Sequence, residues 1–328
     1  MEDYLEKLLK LIFKNHATDV HFILKEEKLE ISLRTSMGII NVKGKFPVAL
    51  FHYLKYISNL DLGNEGKAQS GNFTYTWNRT SYFFRFSYLK TLHIQTAVLR
   101  VLNNHQSLKI DSLSKDKKQN QIFYNWCHFR SGLTIISGPT GSGKTTTLNA
   151  ILENISQGNK LKVISLEDPI EIQSDTYLQL QINEKMNFDY EEGIKQLLRH
   201  DPDVIMIGEV RDQKTAQSLI RCALSGHMVF TTLHAKSCRE AILRLLDFGV
   251  RENDLREVLT ALTNQRIFAS KNGKGRVCVY EIAQREEIKQ YFERGTFFEK
   301  HENIFDEIHK SVEKGYISKA QAQQDISF

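Results

Sequence analysis

The sequence predicts an α/β protein in two parts, a small α+β unit with an antiparallel sheet and a larger unit on a parallel-sheet core. Three observations predict it. Short runs between residues 17 and 102 alternate apolar and polar side chains, the period of half-buried strands. From residue 122 onward, continuous apolar runs such as LTIIS and VIMI alternate with helix-like stretches, the rhythm of strands covered on both faces. Between the two lies NNHQSLKIDSLSKDKKQNQ, residues 103–121, polar and lysine-rich as a linker would be.

Each element follows from local pattern. MEDYLEKLLKLIFKNHATD places Leu5, Leu8, Leu9 and Ile12 on one helical face, and its charges make it unlike a signal peptide. DVHFIL and LEISLR, joined by KEEK, read as a hairpin. Phe51, Leu54 and Ile57 keep helical spacing within 47–60. FTYTW, SYFFRFSYL and IQTAVLRVL add strands and complete a first domain over 1–102. In the second, 122–328, LTIIS leads into a helix and KVISL into a long polar loop with a helix near 190–200. VIMIG and a helix at 213–225 follow, then MVFTT. The C-terminal stretch is helical and charged.

Bulk composition narrows the function classes. A chain of 328 residues with 41% hydrophobic and 25% charged side chains has the makings of about two ordered domains. Its apolar runs are strand-sized, far short of the roughly 20 residues of a membrane span. Cys127, Cys222, Cys238 and Cys278 are scattered without a CxxC pair, so neither structural zinc nor disulfides are expected, and a cytoplasmic location is. Residues 1–120 carry 18 basic against 11 acidic side chains, and residues 121–328 carry 26 against 28. A basic first half suits nucleic acid, an anionic membrane surface or a neighbour's nucleotide, and equally suits solubility alone.

The sharpest motif is GPTGSGKT: Gly138, Pro139, Thr140, Gly141, Ser142, Gly143, Lys144 and Thr145, with Thr146 after it. It fits G-x-x-x-x-G-K-[ST] between a strand and a helix. Glycines let backbone N–H groups turn inward around phosphates, Lys144 reaches the β- and γ-phosphates, and the Thr145 hydroxyl ligates Mg²⁺. In DVIMIGEVRD, Glu209 is the first carboxylate after a buried strand, where such proteins place the acid that organises Mg²⁺; a plain salt bridge to Arg211 is the bland alternative. SLEDPIE offers Glu167, Asp168 and Glu171 at another strand end, and chemistry alone does not choose which handles the attacking water. GHMVFTTLHAKS brackets a strand with His227 and His234. Zinc would need further ligands, and Cys238 has no partner cysteine nearby.

Taken together, these blocks resemble the secretion ATPase superfamily that drives type II secretion, type IV pili and competence pseudopili. The P-loop, ISLEDPIE, LLRHDPDVIMIGEVRD and ALSGHMVFTTLHAKS fall in the family's order, preceded by ATDVHF and followed by NQRI and VYEI. The resemblance implies a PAS-like N-terminal domain, a RecA-like P-loop ATPase domain, and ATP with Mg²⁺ as ligands. It also implies a homohexamer acting on a polytopic platform protein of the cytoplasmic membrane, and through it on pilin-like subunits. Within the site it implies Glu171 as the catalytic carboxylate, Glu209 on Mg²⁺, and both His227 and His234 beside the nucleotide as sensors. Arg85 in FFRFSYLK and Arg100 in AVLRVL match the family's arginine fingers.

Two departures bear on the branch. The chain starts almost at the ATDVHF hairpin, and it lacks the four-cysteine zinc insertion of secretion-type members. This compact plan resembles the ATPase of the Gram-positive competence pseudopilus. Pilus retraction and type II secretion remain alternatives, although KTTT and the C-terminal sequence depart from the retraction pattern. A RecA-like nucleic-acid translocase is the rival of another class. Direct contact with nucleic acid is not expected, since basic and aromatic residues are not interleaved as in single-strand binders.

Overall fold

A computed structural model describes residues 1–35, 38–64, 66–77, 80–102, 108–159, 161–183, 186–273 and 275–326. The chain divides into two compact units, Met1–His105 and Gln106–Phe328. No helix among the described residues is long and apolar enough to cross a membrane.

The first unit runs α1 (Glu2–Lys14), β1 (Asp19–Lys25), β2 (Lys28–Thr35), β3 (Gly38–Asn41), α2 (Val48–Ile57), β4 (Gln69–Trp77), β5 (Thr80–Lys90) and β6 (Gln95–Leu102). The strands form one antiparallel sheet in the order β3-β2-β1-β6-β5-β4. Its apolar face packs on both helices: Leu5, Leu8, Leu9 and Ile12 of α1 and Leu50, Phe51 and Leu54 of α2 share a core with Phe22, Phe84, Phe86 and Leu99. Alternation decides which face is buried, because successive strand residues point to opposite sides.

The second unit begins earlier than composition suggests. The expected linker, 103–121, has its first residues, 103–107, outside those described. Past them, a turn of 3₁₀ helix at Ile110–Ser112 and helix α3 (Lys117–Trp126) already bury Ile110, Leu113, Phe123 and Trp126 in this unit's core. The polar residues that suggest a linker instead satisfy each other. Buried Asn120 accepts from the Ser114 amide (2.9 Å) and donates to the carbonyls of Asp111 and Ser114 (3.0 Å each).

The remaining elements are β7 (Gly132–Ser137), α4 (Lys144–Asn159), β8 (Val163–Glu167), β9 (Leu178–Gln181), α5 (Tyr190–Arg199), β10 (Val204–Glu209), α6 (Gln213–Leu224), β11 (Met228–Leu233), α7 (Cys238–Asp247), α8 (Glu252–Val258), β12 (Leu259–Ala269), β13 (Arg276–Gln284), α9 (Arg285–Arg294), α10 (Ile304–Glu313) and α11 (Lys319–Ile326). The sheet order is β13-β12-β7-β11-β10-β8-β9, parallel throughout except for β13. β7, β8 and β11 are buried at every position. Helices cover both faces, and this is why those strands are buried throughout and mostly apolar rather than alternating. The topology brings the C-terminal ends of β7, β11, β10 and β8 side by side along one edge, where open α/β sheets bind ligands.

Candidate active site

The loop after β7 carries the glycine-rich motif. Gly138, Gly141 and Gly143 adopt φ of +151°, +77° and +85°. At Gly138 a side chain is also sterically excluded: a Cβ would fall 2.6 Å from the Gln265 carbonyl and 2.6 Å from Ser142 Oγ. Pro139, Thr140 and Gly141 form the exposed tip, while Thr145 and Thr146 are half-buried in the first turn of α4. The first backbone N–H groups of this 16-residue helix have no partners within it, so its N-terminus favours anions.

Lys144 is 8% exposed. Its ammonium donates to the carbonyls of Gly138 and Pro139 (3.0 Å each) and lies 3.5 Å from His234 Nδ1. Burial pushes its pKa down, while the carboxylates of Glu209 and Glu171 oppose that shift. Both acids therefore act electrostatically on the lysine of the phosphate loop.

Glu209 ends β10 and has a partner on each oxygen. Oε1 lies 2.8 Å from His234 Nε2, and Oε2 accepts from Arg211 Nε at 2.7 Å. Arg211 NH1 reaches Asp168 at 3.8 Å. The anticipated Glu209–Arg211 pair is thus present, and the carboxylate also faces the loop. His234 follows β11, the strand beside both β7 and β10. Burial and the Lys144 charge lower its pKa, so it is held neutral. With an ammonium at Nδ1 and a carboxylate at Nε2, the tautomer that satisfies both partners carries its proton on Nε2.

The acidic box divides by burial. Glu167 is 4% exposed and accepts from Ser165 Oγ (2.7 Å) and Gln179 Nε2 (2.9 Å). Burial raises its pKa against those hydrogen bonds. Glu171 is exposed to solvent. The buried acid braces the turn, and the exposed one is available to a water.

His227 departs from expectation. It precedes β11, where its carbonyl accepts from the amide of Gly132 at the start of β7 (3.1 Å) and its ring lies 2.9 Å from Ser225 Oγ. His234 stands at the far end of the same strand. At about 3.3 Å per residue, the ends of such a strand are roughly 20 Å apart. Of the two histidines, only His234 accompanies the phosphate loop of its own chain; seven residues of extended backbone carry them to opposite edges of the sheet.

The NQRI block, to which the motif pattern gives no role, holds the loop from below. Asn264, Gln265 and Arg266 interrupt β12 with three consecutive large polar side chains, all buried. That interruption was the available signal.

In the first unit, Arg85 and Arg100 face each other directly across β5 and β6. The register continues the row through Asp19 to Arg34. Arg100 Nε donates to Asp19 Oδ1 (2.7 Å), and Arg85 Nε to Ser70 Oγ (2.9 Å). Asp19 is 6% exposed. It anchors Arg100 in place while the guanidinium remains largely solvated.

The site suits a nucleotide with Mg²⁺. Three glycines at positive φ lead straight into a helix N-terminus, as a phosphate cradle requires, and Thr145 and Glu209 are the hard oxygen donors that Mg²⁺ takes.

Comparison with known proteins follows the same lines. The sequence matches the family described as "Type II/IV secretion system protein" over residues 1–324. It is 33% identical over 270 residues to "Competence protein ComGA" of Bacillus subtilis, spanning 81% of this chain and 76% of that protein. Its identity to the ComGA of Halalkalibacterium halodurans is 36% over 270 residues, 81% and 77% of the two chains. The type IV pilus assembly ATPase PilB of Pseudomonas aeruginosa is 33% identical over 270 residues, 80% of this chain and 47% of PilB. Among solved structures, the pilus retraction motor PilT with bound ADP has the same fold, with a TM-score of 0.78 at 24% identity over 97% of this chain and 96% of that one. Matched along nearly its whole length, the chain belongs to the Type II/IV secretion system protein family.

Proposed function

We propose that the chain is the ATP-hydrolysing motor of a type IV pilus-like competence pseudopilus, working as a homohexamer on a platform protein at the cytoplasmic face of the membrane. DNA uptake would follow from assembly of pilin-like subunits, without direct contact between this protein and DNA. The observation that carries the reading is the 33–36% identity to two competence proteins over three quarters or more of both partners. The first unit is PAS-like and the second RecA-like on this reading.

The residues divide the work. The loop from Gly138 to Gly143 and the α4 N-terminus cradle the phosphates, and Lys144 leaves its two carbonyl partners to neutralise them. Thr145 and Glu209 would hold Mg²⁺, which would supply neutralising charge to the phosphates. Glu171 orients and deprotonates the attacking water. His234 links Glu209 to Lys144, so it responds to the charge on both. Arg85 and Arg100 clamp developing charge on the γ-phosphate, within their subunit or across the ring; a guanidinium suits this because it stays charged and bonds two oxygens at once.

The test is ATP turnover of the purified protein, alone and with single- or double-stranded DNA, over a range of protein concentrations. Specific activity that rises with concentration and ignores DNA supports an oligomeric assembly motor. Several-fold, salt-sensitive stimulation by DNA would instead favour a translocase, the reading that the arginine row of the first unit invites.

A further inference from the structure

Gln265 has no part in the chemistry described above, yet it is fully buried directly beneath the phosphate loop. Its side-chain amide spans the loop's exit. Nε2 donates to the Ser142 carbonyl at 2.6 Å, and Oε1 accepts from Thr147 Oγ1 at 3.0 Å. Those two partners flank Gly143, Lys144, Thr145 and Thr146, the part of the motif that meets the phosphates and Mg²⁺. The Gln265 backbone closes on the loop's entry as well, since its carbonyl is what a Cβ at Gly138 would strike.

The flanking residues extend the brace. Asn264 Nδ2 donates to Ser137 Oγ and to the Ala235 carbonyl (2.9 Å each), and Arg266 NH2 donates to the Lys236 carbonyl (2.9 Å). One short stretch of β12 therefore binds the end of β7, the phosphate loop, the first turn of α4 and the segment after His234.

We propose that Gln265 is a positioning residue for nucleotide binding: it holds the Ser142 carbonyl and the Thr147 hydroxyl at a fixed separation, so the intervening N–H groups point inward before nucleotide arrives. A loop with three glycines at positive φ has wide conformational freedom, and each turn frozen in advance removes an ordering cost from binding. Both ends of the amide are needed. A residue of similar volume that neither donates nor accepts would leave the Ser142 carbonyl buried without its partner. Thr147 contributes through Gln265; its second neighbour, the Tyr280 hydroxyl at 3.0 Å, holds the threonine itself in place.

This inference rests on the reading that Gly138 to Thr145 holds phosphates, and the experiment separates the two. The full chain is titrated with N-methylanthraniloyl-ADP and Mg²⁺ as wild type, K144A, Gln265→Leu, Thr147→Val and the Gln265→Leu/Thr147→Val double variant. ATP turnover and the melting temperature without nucleotide are measured alongside. Gln265→Leu should weaken binding about ten-fold and raise KM for ATP in step, with a smaller change in kcat. Thr147→Val should weaken binding about three-fold, and the double variant should be no worse than Gln265→Leu, because the threonine acts through the amide. A merely structural role would lower the melting temperature and leave the affinity of the folded protein unchanged. Loss of binding in K144A with wild-type affinity in Gln265→Leu overturns this inference alone. Wild-type binding in K144A overturns the phosphate-loop reading, and this inference with it. Should Gln265→Leu fail to fold, unchanged affinity in Thr147→Val overturns the proposal.

Discussion

Lys144 illustrates how little of a side chain's role is written at its own position. The motif names it, but its readiness comes from two backbone carbonyls 3.0 Å away and from the carboxylates of Glu209, at the end of β10, and Glu171, in the loop after β8, which offset the cost of burying its charge. Lys144→Ala should reduce ATP turnover by at least about 100-fold, since a fixed cation opposite developing charge is worth several kcal/mol in a water-poor site. Steady-state phosphate release measures it. Glu171→Gln should also lower kcat about 10²–10⁴-fold but leave nucleotide affinity near that of the wild type, because a general base acts on the water rather than on the bound phosphates. Turnover and titration of the same preparation distinguish the two failures. At this scale the P-loop and its threonine were fully legible, whereas the neutral state of His234 was not. It depends on burial and on Lys144, which lies 90 residues away in sequence.

Elements were legible where their surroundings were simple. The parallel strands β7, β8, β10 and β11 are legible because burial on both faces removes the polar–apolar alternation and leaves mostly apolar runs. β9 falls within the stretch whose sequence reads as a polar loop, because a short edge strand with exposed ends carries no such pattern. The β1–β2 hairpin forms where DVHFIL and LEISLR predict it, but its turn is poorly matched to its sequence. Glu26 and Glu27 adopt φ of +46° and +61°, the left-handed pair that Asn-Gly prefers. Replacing them with Asn and Gly should stabilise the first unit by about 0.5–1 kcal/mol, read as a higher denaturant midpoint at unchanged slope. At the other end of the chain, α11 is fastened by Asp325, which pairs with Arg266 Nε at 3.1 Å. Burial depresses the Arg266 pKa, and Asp325 counters it. Asp325→Ala should cost about 1–2 kcal/mol, less than a fully buried pair because Arg266 keeps its bonds to Asn264 and the Lys236 carbonyl. Chemical denaturation of the variant checks it.

Across the whole molecule, long-range pairing also creates a charge centre around His301. His301 is enclosed by Glu287 from α9 (2.9 Å from Nδ1) and Glu281 from β13 (3.3 Å from Nε2), with Phe297 stacked on its ring. Burial disfavours the charged imidazole, but the two carboxylates outweigh it and raise the pKa to about 9. A folded-state pKa above the ordinary histidine value contributes stability that is complete below about 6.5 and lost as pH rises through about 9. Melting temperature should therefore fall by a few degrees between neutral pH and pH 9.5, and His301→Gln should flatten that slope. By itself the sequence determined the phosphate-binding chemistry and the α/β rhythm, because glycines, a lysine and a threonine within one turn, or apolar side chains in one strand, act over distances that local spacing fixes. Only the tertiary structure decided that Glu209 and His234 share the loop while His227 lies at the opposite edge, and that Gln265 lies under Ser142. Strand order and register set those neighbours, and both arise from pairing between segments tens of residues apart.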